Sequence, residues 1–244
     1  MHVLFVEPAF PKSQREHVRA LHAAGARVTG IGERSIEALD AELRSWLSAY
    51  EQVRSVVDEA ALEAAVRKIQ ARGWVDRLET TVEAHVLPVA HVRERCSIPG
   101  TSARTAFLCR DKAAMKHALR EAGVPCAQST GASDPQAIRD FVARVGYPVI
   151  LKPLAAAGAA GAVRVENDGQ LAAAIAQHDV ERGASVAVEE FVEGHEGFWD
   201  TVSIGGEPRF EFVCQYFPNV LEAMRTRWFS PQIVCTNRVE LDSY

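Results

Sequence analysis

Apolar residues along this chain recur in two rhythms that alternate. Residues 2–6, HVLFV, form a continuous apolar run that suits a strand buried on both faces. Gln14 to Ala24 follows with helical spacing, and Gly25 just past its end is a helix stop. ARVTGIG reads as a second strand and Ile36 to Leu47 as an amphipathic helix. VRSVVD (53–58) reads as a third strand and Glu59 to Ala71 as a third helix. WVDRL predicts a short fourth strand, and Glu79 to Arg95 a helix that Pro88 should bend or interrupt. Strands and helices alternating in this way predict right-handed crossovers and a mostly parallel sheet. Cys96 to Gly100 reads as a linker.

Beyond the linker the pattern changes. Ala103 to Ala122 predicts one helix, ended by Gly123 and Pro125. Ser133 with Gln136 makes a capping box, Pro135 fits the first turn, and Gly146 closes the helix ahead of Pro148. PVILK and AVRVE read as strands, Asn167 caps a short Ala-rich helix with Gln170 in the box position, and SVAVEEF reads as another strand. FWDTVSI and PRFEFVCQYF flank Gly205-Gly206, a two-residue hairpin signal. The second half thus predicts antiparallel hairpins with helices rather than a parallel sheet.

Composition narrows the function classes. The chain has 244 residues, 48% hydrophobic and 24% charged, with net charge −5, in the range of an ordinary globular protein. There is no basic tract of the kind a phosphate-neutralising nucleic-acid surface requires. No run approaches the apolar length of a membrane span, so no membrane partner is expected and the cytoplasm is the expected location. The five Cys are widely spaced without a CxxC pair, which predicts reduced thiols filling gaps rather than a zinc site or a disulfide framework. His195-Glu196 lacks the second His of a zincin helix, and no metal-ligand spacing stands out.

Three ordered segments carry chemistry. Lys112 sits in CRDKAAMKHAL, and Lys152 ends the run PVILKP. Proline holds the residue before it extended, so Lys152 should end a strand with its ammonium held out, suited to meet a polyphosphate. The loop AAAGAAGA (155–162), with Gly158 and Gly161, lets backbone N–H groups approach phosphate oxygens, although it is not a Walker A loop. EPAFPKSQ after the first strand has no dinucleotide-binding glycines. In VAVEEFVEGHE, a strand leaving its sheet around Glu190 to Val192 offers backbone groups to an adenine edge, with Phe191 and Val192 against the ring. Glu196 offers a carboxylate to ribose hydroxyls. A surface Lys at a strand end, a plain flexible turn and an acidic solvated strand end are the competing structural readings of the same residues.

IPGTSARTAFLCRDKAAMKHALREAGVPCA, GYPVILKP with its loop, and VAVEEFVEGHEGFWDTVSIGGEPRF together resemble an ATP-grasp protein of the carboxylate–amine ligase type. The resemblance implies an α/β chain: a Rossmann-like pre-ATP-grasp domain (1–100), a connecting helix (101–124), an ATP-grasp lid (125–192) and the start of a C-terminal ATP-grasp α+β subdomain (193–244). It implies that Lys112 and Lys152 grip one triphosphate from opposite domains, that the glycine loop closes over it, that Glu189, Glu190, Phe191 and Val192 hold adenine, and that Glu196 holds ribose. ATP and Mg²⁺ are the implied cofactors, with magnesium ligands expected beyond residue 244, as though the chain were part of a longer ligase. The loop also lacks the hydroxyl residue usual in the family. Implied partners are a small-molecule carboxylate and an amine, with a homodimer allowed. Arg225, Arg227 or Arg238 could clamp an acceptor carboxylate, though ordinary surface arginines are the commoner case. Two other functions fit the same residues, a non-catalytic nucleotide-binding module and a biotin-carboxylase-like enzyme that activates bicarbonate.

Overall fold

A computed structural model describes residues 1–153, 161–226 and 230–238. The chain divides into two compact units, Met1–Val124 and Pro125–Tyr244.

The first unit is built on a parallel sheet. Its strands are β1 (His2–Val6), β2 (Arg27–Gly32), β3 (Ala49–Gln52) and β4 (Arg77–Glu79), in the order β3-β2-β1-β4. Helices α1 (Gln14–Ala23), α2 (Ala41–Trp46), α3 (Glu59–Gln70) and α4 (Glu83–Arg95) connect and follow them. Every residue of β1 is buried, because successive side chains point to opposite faces and helices cover both. Leu4 and Val6 pack with Val66 of α3 and with Val89 and Val92 of α4. Phe5 joins Val18 of α1 and Leu43 of α2 on the other side. Gly25 closes α1 at φ +77°, a conformation that costs glycine little.

Four boundaries in this unit differ from the sequence reading. Residues 53–58 are not a strand; β3 lies just upstream. Val53 and Val56 are buried from a loop, Val53 N–H donating to Gly32 C=O at 2.9 Å and Val56 N–H to Glu33 Oε1 at 3.0 Å. Apolar side chains plugging a core from a loop mimic a buried strand in sequence. The helix expected over Ile36–Leu47 is a 3₁₀ turn (Ile36–Ala38) followed by α2. Asp40 breaks it by accepting the Leu43 N–H at 2.8 Å as an N-cap. Glu79 ends β4, and the helix starts four residues later, with Pro88 inside it. The single helix expected over Ala103–Ala122 is α5 (Ala103–Arg110) and α6 (Lys112–Glu121), divided at Asp111, which caps α6 through the Ala114 N–H at 2.8 Å.

The second unit is antiparallel. Its first sheet runs β5-β8-β6-β7, from β5 (Ser129–Ala132), β6 (Val149–Pro153), β7 (Val163–Val165) and β8 (Val186–Glu190). Helices α7 (Pro135–Val145) and α8 (Asp168–Gln177) pack on one face through Ile138, Phe141, Leu171 and Ile175. The cap of α7 is Asp134, which accepts the Gln136 and Ala137 N–H groups, rather than Ser133. Asn167 caps α8 as expected, accepting the Gln170 N–H at 3.0 Å. A second sheet holds β9 (Gly197–Ile204), β10 (Glu207–Phe217) and, beyond helix α9 (Val220–Thr226), β11 (Gln232–Thr236). The Gly205-Gly206 hairpin forms with both glycines at positive φ (64° and 86°), which a type I′ turn demands. Cys214 and Cys235 are register partners across β10 and β11 and form a disulfide, so the expectation of reduced thiols does not hold for this pair. Cysteines 21 residues apart carry no pairing signal in sequence; only the strand register brings them together. No helix among the described residues is long and apolar enough to cross a membrane.

Candidate functional site

The first sheet of the second unit is two-faced by period. Val149 and Leu151 of β6, Val165 of β7, and Val186 and Val188 of β8 are buried against α7 and α8. The intervening residues Ile150, Lys152, Arg164, Ala187 and Glu189 share the opposite face, and each of them is only partly buried. Ile150 stands opposite both Arg164 and Glu189, and Lys152 opposite Ala187.

On that face Lys152 Nζ meets Glu189 Oε2 at 2.8 Å, both side chains about one quarter exposed (25% and 23%). An ion pair in this half-buried setting is screened less than a surface pair, yet both ends still reach solvent. The pair follows from register: Lys152 and Glu189 lie diagonally across β6 and β8, within reach of long side chains.

The strand then leaves the sheet. Glu190 bridges Gln128 twice, its N–H donating to the Gln128 C=O at 2.9 Å and its carboxylate accepting the Gln128 N–H at 3.0 Å. The Phe191 N–H donates to the Pro148 C=O at 3.2 Å. These two N–H groups are therefore already engaged, and the free strand end expected around Glu190 to Val192 narrows to Val192, whose side chain is exposed.

Arg164 extends over this exit. Its guanidinium carbon lies 4.2 Å from the Phe191 ring centroid, with Glu193 at 3.4 Å and Glu166 at 3.2 Å. The sequence reading did not single out Arg164. The signal was available in AVRVE, where alternation puts the Arg opposite the buried valines.

Past Gly194, Glu196 is locked to the start of α9. Its Oε2 accepts the Val220 N–H at 2.7 Å, its own N–H donates to Asn219 Oδ1 at 3.0 Å, and its C=O accepts the Tyr216 N–H at 2.9 Å. Asn219 Nδ2 donates in turn to the Gly194 C=O at 2.8 Å. A carboxylate has about four acceptor directions, so one helix N–H leaves Glu196 with capacity for further donors. Asn219 was not anticipated, because its partners lie more than twenty residues away in sequence.

Lys112 is exposed and is the first residue of α6, in the first unit. A cation at a helix N-terminus opposes the macrodipole, so helix stability does not explain the residue. Gly161 adopts φ +72°, and a Cβ there would come within 3.1 Å of Pro153. Gly158 and Arg227 lie outside the described residues. Among the described residues no three His, Cys, Asp or Glu side chains converge in a way that could hold a metal ion.

Residues 111–197, from the cap of α6 through Glu196, match the family model of the carbamoyl-phosphate synthase L chain ATP-binding domain. Over these residues the chain is similar to an ATP-binding domain of the ATP-grasp type. Among curated proteins the chain is 24% identical over 177 residues to an L-arginine-specific L-amino acid ligase of Bacillus subtilis, covering 70% of the chain and 43% of the relative. It is 31% identical over 162 residues to a formate-dependent phosphoribosylglycinamide formyltransferase of Anaeromyxobacter dehalogenans, covering 65% and 41%. The chain therefore spans less than half the length of these two relatives. Its fold matches that of phosphoribosylglycinamide synthetase from Anaerococcus prevotii with a TM-score of 0.65 at 14% identity, over 93% of this chain and 58% of that one.

Proposed function

We propose that this chain is the ATP-binding portion of an ATP-grasp ligase that activates a carboxylate as an acyl phosphate for attack by an amine. The observation that carries the reading is the open face of the lid sheet. It presents Lys152 beside Glu189 and leads through Phe191 and Val192 to Glu196 without interruption in the chain. The curated relatives, an amino acid ligase and a formate-dependent transferase, support the reaction class.

In this reading Lys112 and Lys152 neutralise the triphosphate, with backbone of the 155–162 loop, Gly158 and Gly161 included, around its oxygens. Glu189 to Val192 border adenine, and Glu196 accepts ribose hydroxyls. A carboxylate oxygen of the acceptor attacks the γ-phosphorus and ADP leaves; the amine nitrogen then attacks the acyl carbon and inorganic phosphate leaves. The chain's contribution is alignment and charge neutralisation, which supply most of the acceleration in phosphoryl transfer. The described residues do not offer a magnesium ligand set, and no step here is assigned to that ion. The acceptors are a small-molecule carboxylate and an amine, the setting is cytoplasmic, and a homodimer is the assembly to test.

The test is ATP binding by calorimetry, followed by phosphate release with a panel of amino acids and formate as acceptors. Saturable ATP binding with acceptor-dependent phosphate release supports a ligase. Binding without release under any acceptor favours a nucleotide-binding module, and release that requires bicarbonate favours the carboxylase-like alternative. Absence of ATP binding overturns the reading.

A further inference from the structure

One charged side chain on the open lid face, Arg164, has no part in the proposed binding of ATP. Arg164 is on β7, three residues after Gly161, and its register partner is Ile150 at the centre of the face that carries Lys152 and Glu189. Its guanidinium lies over Phe191 at 4.2 Å and reaches toward Glu193 at 3.4 Å, so it touches two residues of the segment that leads to Glu196.

Stability is a poor explanation for this arrangement. The carboxylates on either side, Glu166 and Glu193, are 55% and 74% exposed, and pairs that open to water contribute little. The buried Arg164 Nε has no aligned acceptor among the described residues, although Glu166 Oε1 is 3.2 Å away. A planar guanidinium stacked on a ring instead fixes the orientation of that ring. A Lys in its place would carry the charge without the plane.

We infer that Arg164 is a positioning residue for the base end of the nucleotide: it sets the Phe191 ring and the 191–193 backbone, and so aligns the adenine edge with the ribose carboxylate. It acts through Phe191 and Glu193 rather than on the phosphates, which are the task of Lys152. The inference rests on the nucleotide reading above, and its test separates the two.

The experiment compares the 244-residue chain with Arg164→Ala and Arg164→Lys, reading ATP and inorganic triphosphate by displacement of a fluorescent ATP analogue. Arg164→Ala should weaken ATP about tenfold and leave inorganic triphosphate within about twofold, because only ATP has a base to misplace. Arg164→Lys should recover little of the loss. Phe191→Leu should weaken ATP to a similar degree and add little on top of Arg164→Ala, since the two act as a unit. An equal loss for both ligands would assign Arg164 to the phosphates or to lid integrity and overturn the inference. So would unchanged ATP affinity in a variant whose parent binds ATP, or full rescue by Lys. A parent chain that binds triphosphate but not ATP, or neither, overturns the nucleotide reading itself, and this inference with it.

Discussion

Replacing Lys152 by Met keeps the aliphatic stem and removes the ammonium. At 2.8 Å from Glu189 Oε2, with an effective dielectric near 20, the lost Coulomb attraction is about 6 kcal/mol gross. Partial desolvation of both ions offsets most of it, since each is three-quarters buried. The net coupling therefore falls between that of exposed pairs, under about 1 kcal/mol, and that of pairs broken in a dry core, about 3–5 kcal/mol. We expect about 1–2 kcal/mol. The assay is a double-mutant cycle of Lys152→Met and Glu189→Gln, with unfolding followed by hydrogen exchange at the buried Leu151 and Val188 amides. Repeated in saturating ATP, the cycle should give a smaller coupling, because a triphosphate competes with Glu189 for the same ammonium. The affinity of Lys152→Met for ATP should fall at least tenfold. Coupling below about 0.3 kcal/mol without nucleotide would mean the pair has no energetic weight in solution. Unchanged ATP affinity would remove Lys152 from the phosphate site.

Three further outcomes follow from other parts of the structure. Glu196→Gln should weaken ATP about tenfold and 2′-deoxy-ATP much less; equal losses for both would mean that Glu196 acts through the Val220 N–H and α9 alone. Reducing the Cys214–Cys235 disulfide, which closes a 21-residue separation, should lower the stability of the second unit by about 3 kcal/mol in denaturant titrations, and Cys235→Ser should match it; free thiols at both Cys214 and Cys235, mapped by mass spectrometry of the unreduced protein, would refute the pairing. Burial raises the Glu7 carboxyl above its ordinary 4.5, against the lowering effect of the Glu33 N–H. The folded state then holds that proton more tightly than the unfolded chain, so the contribution of Glu7 to stability falls as pH rises from about 4.5 through the folded value. Glu7→Gln should flatten this part of the stability profile, and a profile identical to that of the parent would count against the shift.

Much of the fold was legible because the signals were local. The unbroken apolar run of β1 required cover on both faces, and Gly205-Gly206 between alternating segments required a hairpin. Misreadings cluster where tertiary contacts reuse a local pattern. Val53 and Val56 look like a strand but are plugs from a loop, tied down by Gly32 at the end of β2 and by Glu33 just after it. Asp111 and Asp40 each cut a helix that periodicity alone would continue, because a short carboxylate captures the N–H groups of the next turn.

The sequence by itself determined most of the element types, the change from a parallel to an antiparallel half, and the order of chemical groups from Lys112 through Lys152 to Glu196, since all of these depend on residue type and spacing along the chain. Tertiary structure alone decided the partners: Glu189 for Lys152, Phe191 for Arg164, Asn219 and Val220 for Glu196, and Cys235 for Cys214. Each of these pairs is separated by about twenty or more residues, and their meeting depends on strand register. A shift of one residue would turn Lys152, Arg164, Glu189, Cys214 and Cys235 to the other face of their sheets, and no local preference encodes that choice.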